Sequence, residues 1–237
     1  MQKTKLDRFI QKYNLNGNVN SVKWTSKDDA LQTTFVTSDK SLMGSVKVDN
    51  VQFDEGDVGV YTTDLLQKLL GVLGDDVTLK VSEFGDKAVS LKVKNGTVSV
   101  DYTLSDLSVI PDPPTLKRVP KFQTNIKIDS NFIDTFIKGK AALPDAETFT
   151  ITTKKTQVVI GYASTNTNRV NIPVETTTNG LTDNISFNAN LFRDVLYANK
   201  ECTSATFEVS NEGLARINFK VDDYDSTYYV VATQGVD

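Results

Sequence analysis

One stretch is written twice, and this constrains the chain more than any other feature. Thr78-Leu79-Lys80-Val81-Ser82-Glu83-Phe84-Gly85, running on to Leu91-Lys92-Val93, returns as Thr206-Phe207-Glu208-Val209-Ser210-Asn211-Glu212-Gly213, running on to Phe219-Lys220-Val221. The offset stays at 128 residues, from Thr78 to Thr206 and from Val93 to Val221. Both copies alternate apolar and polar residues, the period of a half-buried strand, and each glycine marks a turn between two strands. Upstream, Val58-Gly59-Val60-Tyr61 leads into Leu65, Leu66, Leu69, Leu70 and Leu73. Asn184-Ile185-Ser186-Phe187 leads likewise into Leu191, Phe192, Val195 and Leu196, and here the offset is 126, from Leu65 to Leu191. Further up, Arg8-Phe9-Ile10-Gln11-Lys12-Tyr13 is echoed by Asn131-Phe132-Ile133-Asp134-Thr135-Phe136, offset by 123 from Phe9 to Phe132. The chain is a tandem duplication whose loops have changed length.

The 237 residues therefore divide into two halves, each large enough for its own core. Residues 4 to 14 predict an amphipathic helix with Leu6, Phe9, Ile10 and Tyr13 on one face and Lys5, Arg8 and Lys12 opposite, ended by Asn14 to Gly17. Strands are expected around Val19 to Trp24, Leu31 to Thr37, Leu42 to Val48 and Val58, then a helix over 63–73 and the repeated hairpin. Asn95-Gly96 suits a tight turn with positive φ, which places a hairpin tip there. Between Leu104 and Phe122 lie Pro111, Pro113, Pro114 and Pro120, too many for a helix or central strand, so this is an extended connector.

The second half starts with a strand at Gln123 to Ile128, then Asp129 or Ser130 capping a helix through Phe132, Ile133, Phe136 and Ile137. Strands follow around Thr148 to Thr153, Gln157 to Tyr162, Arg169 to Val174 and Ile185 to Phe187, then a helix over 189–199, the second hairpin and a strand over Tyr228 to Ala232. Thr233 to Asp237 is a short tail. The expected class is α+β, with two one-sided helices per half on one face of antiparallel sheet. The domains are 1–107 and 123–237, with 108–122 connecting them.

Twenty-six basic and thirty acidic side chains give a net charge of −4, which excludes a simple basic coat for nucleic acid but not a local basic face. The chain has no histidine, which removes the commonest general base and metal ligand. It also lacks a Gly-rich phosphate loop, a GxSxG element and Cys/His metal spacing. The acidic groups Asp54-Glu55-Gly56-Asp57, Asp75-Asp76 and Asp222-Asp223-Tyr224-Asp225 suit solvated turns better than cation sites; the last lacks the glycine that an EF-hand loop requires. Neither an enzyme nor a cofactor is expected. The lone Cys202 cannot make an internal disulfide and reads as a small residue past the second leucine-rich helix, fitting a reduced compartment. No apolar run is fit to be a signal peptide or a membrane span, so an intracellular protein is expected.

Asp57-Val58-Gly59-Val60-Tyr61 before the helix through Leu65 to Leu73, Gly74-Asp75-Asp76 after it, and the terminal Tyr228-Tyr229-Val230-Val231-Ala232 carry a resemblance. With the duplication, the one-sided helices and the proline-containing connector, the chain resembles the sliding clamps that serve as DNA polymerase processivity factors, most of all those of T-even-like tailed bacteriophages. The resemblance implies a homotrimeric ring, helices lining a hole filled by duplex DNA held without regard to sequence, and a clamp loader and a replicative polymerase as partners. It also implies the cytoplasm of an infected bacterial host and no membrane.

Carried over by position, the DNA-facing side chains are Lys3, Lys5, Arg8, Lys12, Lys68, Lys138, Lys140, Arg193 and Lys200. Residues 1 to 16 sum to +3, whereas the other three helices are each neutral, a departure from a strongly basic lining. The apolar pocket that docks partner peptides would fall to Leu42, Met43, Val109, Ile110, Val230 and Ala232. The alternative is a duplicated β-rich structural or virion-associated module that never encircles DNA.

Overall fold

A computed structural model describes residues 1–153, 157–161 and 167–233. It divides the chain into two compact units, and each takes in one short piece of chain from elsewhere. The first is Met1–Ser38, Gly44–Pro114 and Asp222–Ser226; the second is Asp39–Met43, Thr115–Val221 and Thr227–Asp237.

In the first unit, helix α1 (Lys3–Asn14) precedes strands β1 (Val22–Lys27), β2 (Ala30–Val36), β3 (Leu42–Asp49, of which Gly44 onward lies here) and β4 (Gly56–Val60). Helix α2 (Thr63–Leu70) and strands β5 (Thr78–Phe84), β6 (Lys87–Asn95) and β7 (Val98–Thr103) follow, then one 3₁₀ turn at Leu107–Val109. The sheet order is β3-β2-β1-β4, and β5-β6-β7 form a second, antiparallel sheet. Phe9, Tyr13, Trp24 and Phe35 pack as the aromatic centre of this core; Phe9 sits edge-on to both Tyr13 and Trp24 at 5.6 Å between centroids. Alternation along β1, β2 and β3 puts one face of the sheet against α1, as the period of two requires. Helix α1 ends where Leu15, Asn16 and Gly17 all take positive φ, and the Asn14 side chain accepts from the Gly17 N–H at 2.9 Å.

The second unit repeats the order: β8 (Thr124–Asp129), α3 (Ser130–Ala142), β9 (Thr148–Thr152), β10 (Gln157–Ile160), β11 (Val170–Pro173), β12 (Thr176–Asn179), β13 (Ile185–Asn188), α4 (Ala189–Ala198), β14 (Ser204–Val209), β15 (Leu214–Val221) and β16 (Tyr224–Val231, of which Thr227 onward lies here). Its sheets run β12-β8-β14-β15-β16 and β11-β10-β9-β13. The expected cap is present: the Asp129 carboxylate accepts from the Phe132 N–H at 2.8 Å. Phe136, Phe149 and Phe207 surround Phe192 at 4.8, 4.6 and 4.9 Å between centroids. Phe132, the counterpart of Phe9, lies at the edge of this cluster.

Strand β8 pairs with β14 and ends with Asp129 opposite Ser204. At the corresponding place in the first unit, Gln2 bridges to Asp76, the residue 128 before Ser204. The Lys3 N–H bonds the Asp75 carbonyl at the same place, and the Met1 amino group reaches the Val77 carbonyl at 2.7 Å.

Three expectations need correction. The predicted helix over 63–73 ends at Leu70, with Gly71 closing it. The two-residue tip of β6–β7 is Gly96-Thr97, because Asn95 still pairs with Val98. Strand β12 was not foreseen: its Thr176-Thr177-Thr178 run lacks apolar alternation, and its pairing with β8 creates the strand. Tyr162, the expected end of one strand, and residues 234–237 of the expected tail lie outside the described residues.

Candidate nucleic-acid interface

The basic side chains of α1 are not a bare face. Hairpin tip Asp222-Asp223, between β15 and β16, belongs to the same unit as α1 and supplies its countercharges. Lys5 Nζ donates to the Asp223 carboxylate and, at 3.2 Å, to the Asn50 carbonyl, while the Asn50 amide reaches Asp223 at 3.1 Å. Both terminal nitrogens of Arg8 donate to one oxygen, Asp222 Oδ2, each at 3.1 Å. The Arg8 guanidinium also lies over the Tyr224 ring at 4.6 Å, and the Tyr224 hydroxyl donates to the Lys5 carbonyl at 2.8 Å. Lys3 pairs with Asp7 at 3.6 Å, one turn along the helix. Burial pushes the Asp7 carboxyl upward, with Lys3 opposing, whereas the hydrogen bond from Lys5 holds Asp223 below its usual range.

Lys12 does not face solvent. It is 0% exposed, its ammonium 5.2 Å from the centre of the Tyr224 ring. Lys5 and Lys12 share a side of the helix, as their spacing predicts, but Tyr224 covers that side at Lys12. Lys140 is likewise buried, at 2% exposure, and donates to the carbonyls of Leu143 at 3.3 Å and Pro144 at 2.8 Å. It closes the C-terminus of α3, and burial lowers its ammonium below the usual value, with the Arg193 charge adding to this. Neither lysine offers its charge to a ligand in this conformation. Lys68, Lys138 and Lys200 are exposed. Lys200 lies over the Tyr197 ring at 4.8 Å, and Arg193 is half-buried against Asp194 at 2.7 Å.

The residues assigned to a peptide pocket fall in both units. In the first, Ile110 is buried beside Gly59 while Val109 is 55% exposed. In the second, Leu42 and Val230 are core residues with no surface to offer, and Met43 and Ala232 are half-buried. A further concavity of about 410 Å³ lies within the first unit, between Val89, Leu104 and Leu107, with the Lys87–Asp106 pair at 2.7 Å on its rim. Sequence reasoning missed it because Val89 and Leu107 lie on separate elements.

Two repeated units of helices on antiparallel sheets, in this order, define the sliding-clamp fold. Three solved structures have it along nearly their whole length. Proliferating cellular nuclear antigen from Entamoeba histolytica matches with a TM-score of 0.72 at 14% identity, over 99% of this chain and 97% of that one. The A. fulgidus PCNA bound to the C-terminal region of FEN-1 matches with 0.73 at 14%, over 100% and 98%. The PCNA2-PCNA3 complex of Sulfolobus tokodaii matches with 0.73 at 10%, over 98% and 97%. No protein-family model matches the sequence, and neither does any curated protein. No helix among the described residues is long and apolar enough to cross a membrane.

Proposed function

We propose that this protein is a sliding clamp that encircles duplex DNA and tethers a replicative polymerase to it, without catalysing a reaction itself. The observation that carries the proposal is the clamp fold over 98% or more of the chain and 97% or more of each neighbour. Two domains, 1–107 and 123–237 joined by 108–122, repeat three times around a homotrimeric ring. A closed ring holds DNA by topology, so weak sequence-independent attraction to phosphates suffices, and the modest charge of the helices suits sliding.

Features of both units support ring closure. Strand β7 ends its sheet, with paired β6 on one side, and β11 ends a sheet of the second unit among the described residues. Such open edges pair with another chain unless covered. Leu65 and Val72, seven residues apart on and just after α2, are 49% and 66% exposed, an apolar stripe that contact with a second copy would cover.

Lys3, Arg8, Lys138, Arg193 and Lys200 are the groups through which phosphates are met; Lys5 holds the hairpin tip beside them, and Lys68 shares the α2 face of Leu65 and Val72 that a second copy covers. Val109, Ile110, Met43 and Ala232 would respond to a docked partner peptide; the bound C-terminal region of FEN-1 on a clamp of this fold supports that mode. A clamp loader opens the ring, and a T-even-like phage in a bacterial cytoplasm is the setting that the sequence resemblance favours.

The test is retention on nicked circular duplex after loading with the loader of the same genome. Clamp activity predicts protein that stays with the circle through a high-salt wash and leaves when the circle is linearised. Equal loss from circular and linear DNA contradicts it.

A further inference from the structure

Within the first unit, the two ion pairs at the hairpin tip differ in kind. Lys5 is held by three contacts, to Asp223, to the Asn50 carbonyl and through its own backbone carbonyl to Tyr224, and only 18% of its side chain is exposed. Arg8 is more open, at 35%, and its partner Asp222 is 67% exposed. The Arg8 fork closes on a single oxygen, the arrangement that a phosphate oxygen also satisfies. Released from Arg8, the Asp222 carboxylate would remain in water, so nothing buried is left unpaired by the exchange.

We infer that Asp222 is an internal stand-in for phosphate: it occupies the Arg8 guanidinium when DNA is absent and yields it to the DNA backbone on contact. The inference rests on the DNA-encircling function proposed above and adds a residue that sets affinity. Asp222 lowers the attraction of α1 for DNA by competing for Arg8. Asp223 and Lys5 instead anchor the tip, so the exchange happens without moving the hairpin.

The experiment compares the full-length protein with Asp222→Asn, Arg8→Gln and the double variant. Fluorescence anisotropy with a short blunt duplex is followed over a salt series, and retention on nicked circles is measured in parallel. Asp222→Asn should bind duplex more tightly at low salt. It should also lose affinity more steeply as salt rises, by about 0.9 in the logarithmic slope, or about threefold more between about 50 and 200 mM. Arg8→Gln in the Asp222→Asn background should abolish both effects. Thermal melting of each variant confirms that the fold is kept. Equal affinity and slope for Asp222→Asn and the parent, with circles still retained, would overturn the stand-in role alone. Loss of circle retention by the parent would overturn the clamp function on which it rests.

Discussion

The Asn199 side-chain amide donates to the Tyr228 hydroxyl at 3.0 Å, with both side chains fully buried, and also to the Val195 carbonyl at 2.8 Å. One side chain thus closes the last turn of α4 and ties it to the last strand. Removing it exposes a helix end inside the core. Asn199→Ala should cost about 1–3 kcal/mol, and Tyr228→Phe about 1 kcal/mol, by urea unfolding. A cost within error for Asn199→Ala would show that the turn closes without it.

At Gly59 the first unit tolerates no side chain. A Cβ there would stand 2.4 Å from the Ser105 carbonyl oxygen, and the Ser105 N–H bonds the Gly59 carbonyl at 2.9 Å. Gly59→Ala must push the start of the connector off β4, and about 1–3 kcal/mol of destabilisation is expected by thermal or urea unfolding. An unchanged midpoint would mean that the contact is looser than these distances imply.

Two carboxylates are held below their usual range in the folded state. Asp106 is held well below the usual range first by Lys87, at 2.7 Å, and then by the Ser108 N–H at 3.0 Å. Asp223 is lowered chiefly by Lys5. A carboxyl lowered in the folded state stabilises fully above its unfolded value of about 3.9, and that contribution disappears as pH falls through the lower folded value. Asp7 runs the other way: burial raises it, so its effect disfavours the fold as pH rises. Stability should therefore fall on acidification below about pH 4. The double variant Asp106→Asn, Asp223→Asn should flatten that limb in urea titrations at several pH values. An unaltered limb would assign acid sensitivity to other groups.

The Phe192 ring touches four other phenylalanines of the second unit, Phe132, Phe136, Phe149 and Phe207. Phe192→Ala should cost about 3–5 kcal/mol, the range for an aromatic removed from a packed core. Leu65→Glu tests the other kind of apolar residue, since Leu65 is 49% exposed. It should leave the unfolding midpoint nearly unchanged while reducing the mass seen by light scattering to that of one chain.

Much of the fold was legible because the duplication checks itself. Phe9 and Phe132, or Val93 and Val221, predict the same role twice, and the structure places each pair in the same element of its unit. The helix cap at Asp129 and the turns at Gly85 and Gly213 were also readable, because their signals are local. What failed was non-local. Lys12 looks like a solvent-facing residue from its spacing, yet it is buried, with its ammonium over Tyr224 from the far end of the sequence. Lys140 reads as a basic surface residue until the turn at Leu143-Pro144 folds back onto it. The acidic tip Asp222-Asp223 looked like a solvated turn, and nothing near it in sequence names Lys5 and Arg8 as its partners.

The most direct measurement is the mass and shape of the purified protein at high concentration, by light scattering and negative-stain imaging of the same sample. The clamp account predicts a ring of three 26.1 kDa chains around a hole wide enough for duplex DNA. A compact particle of one chain, persisting at every concentration, would contradict it.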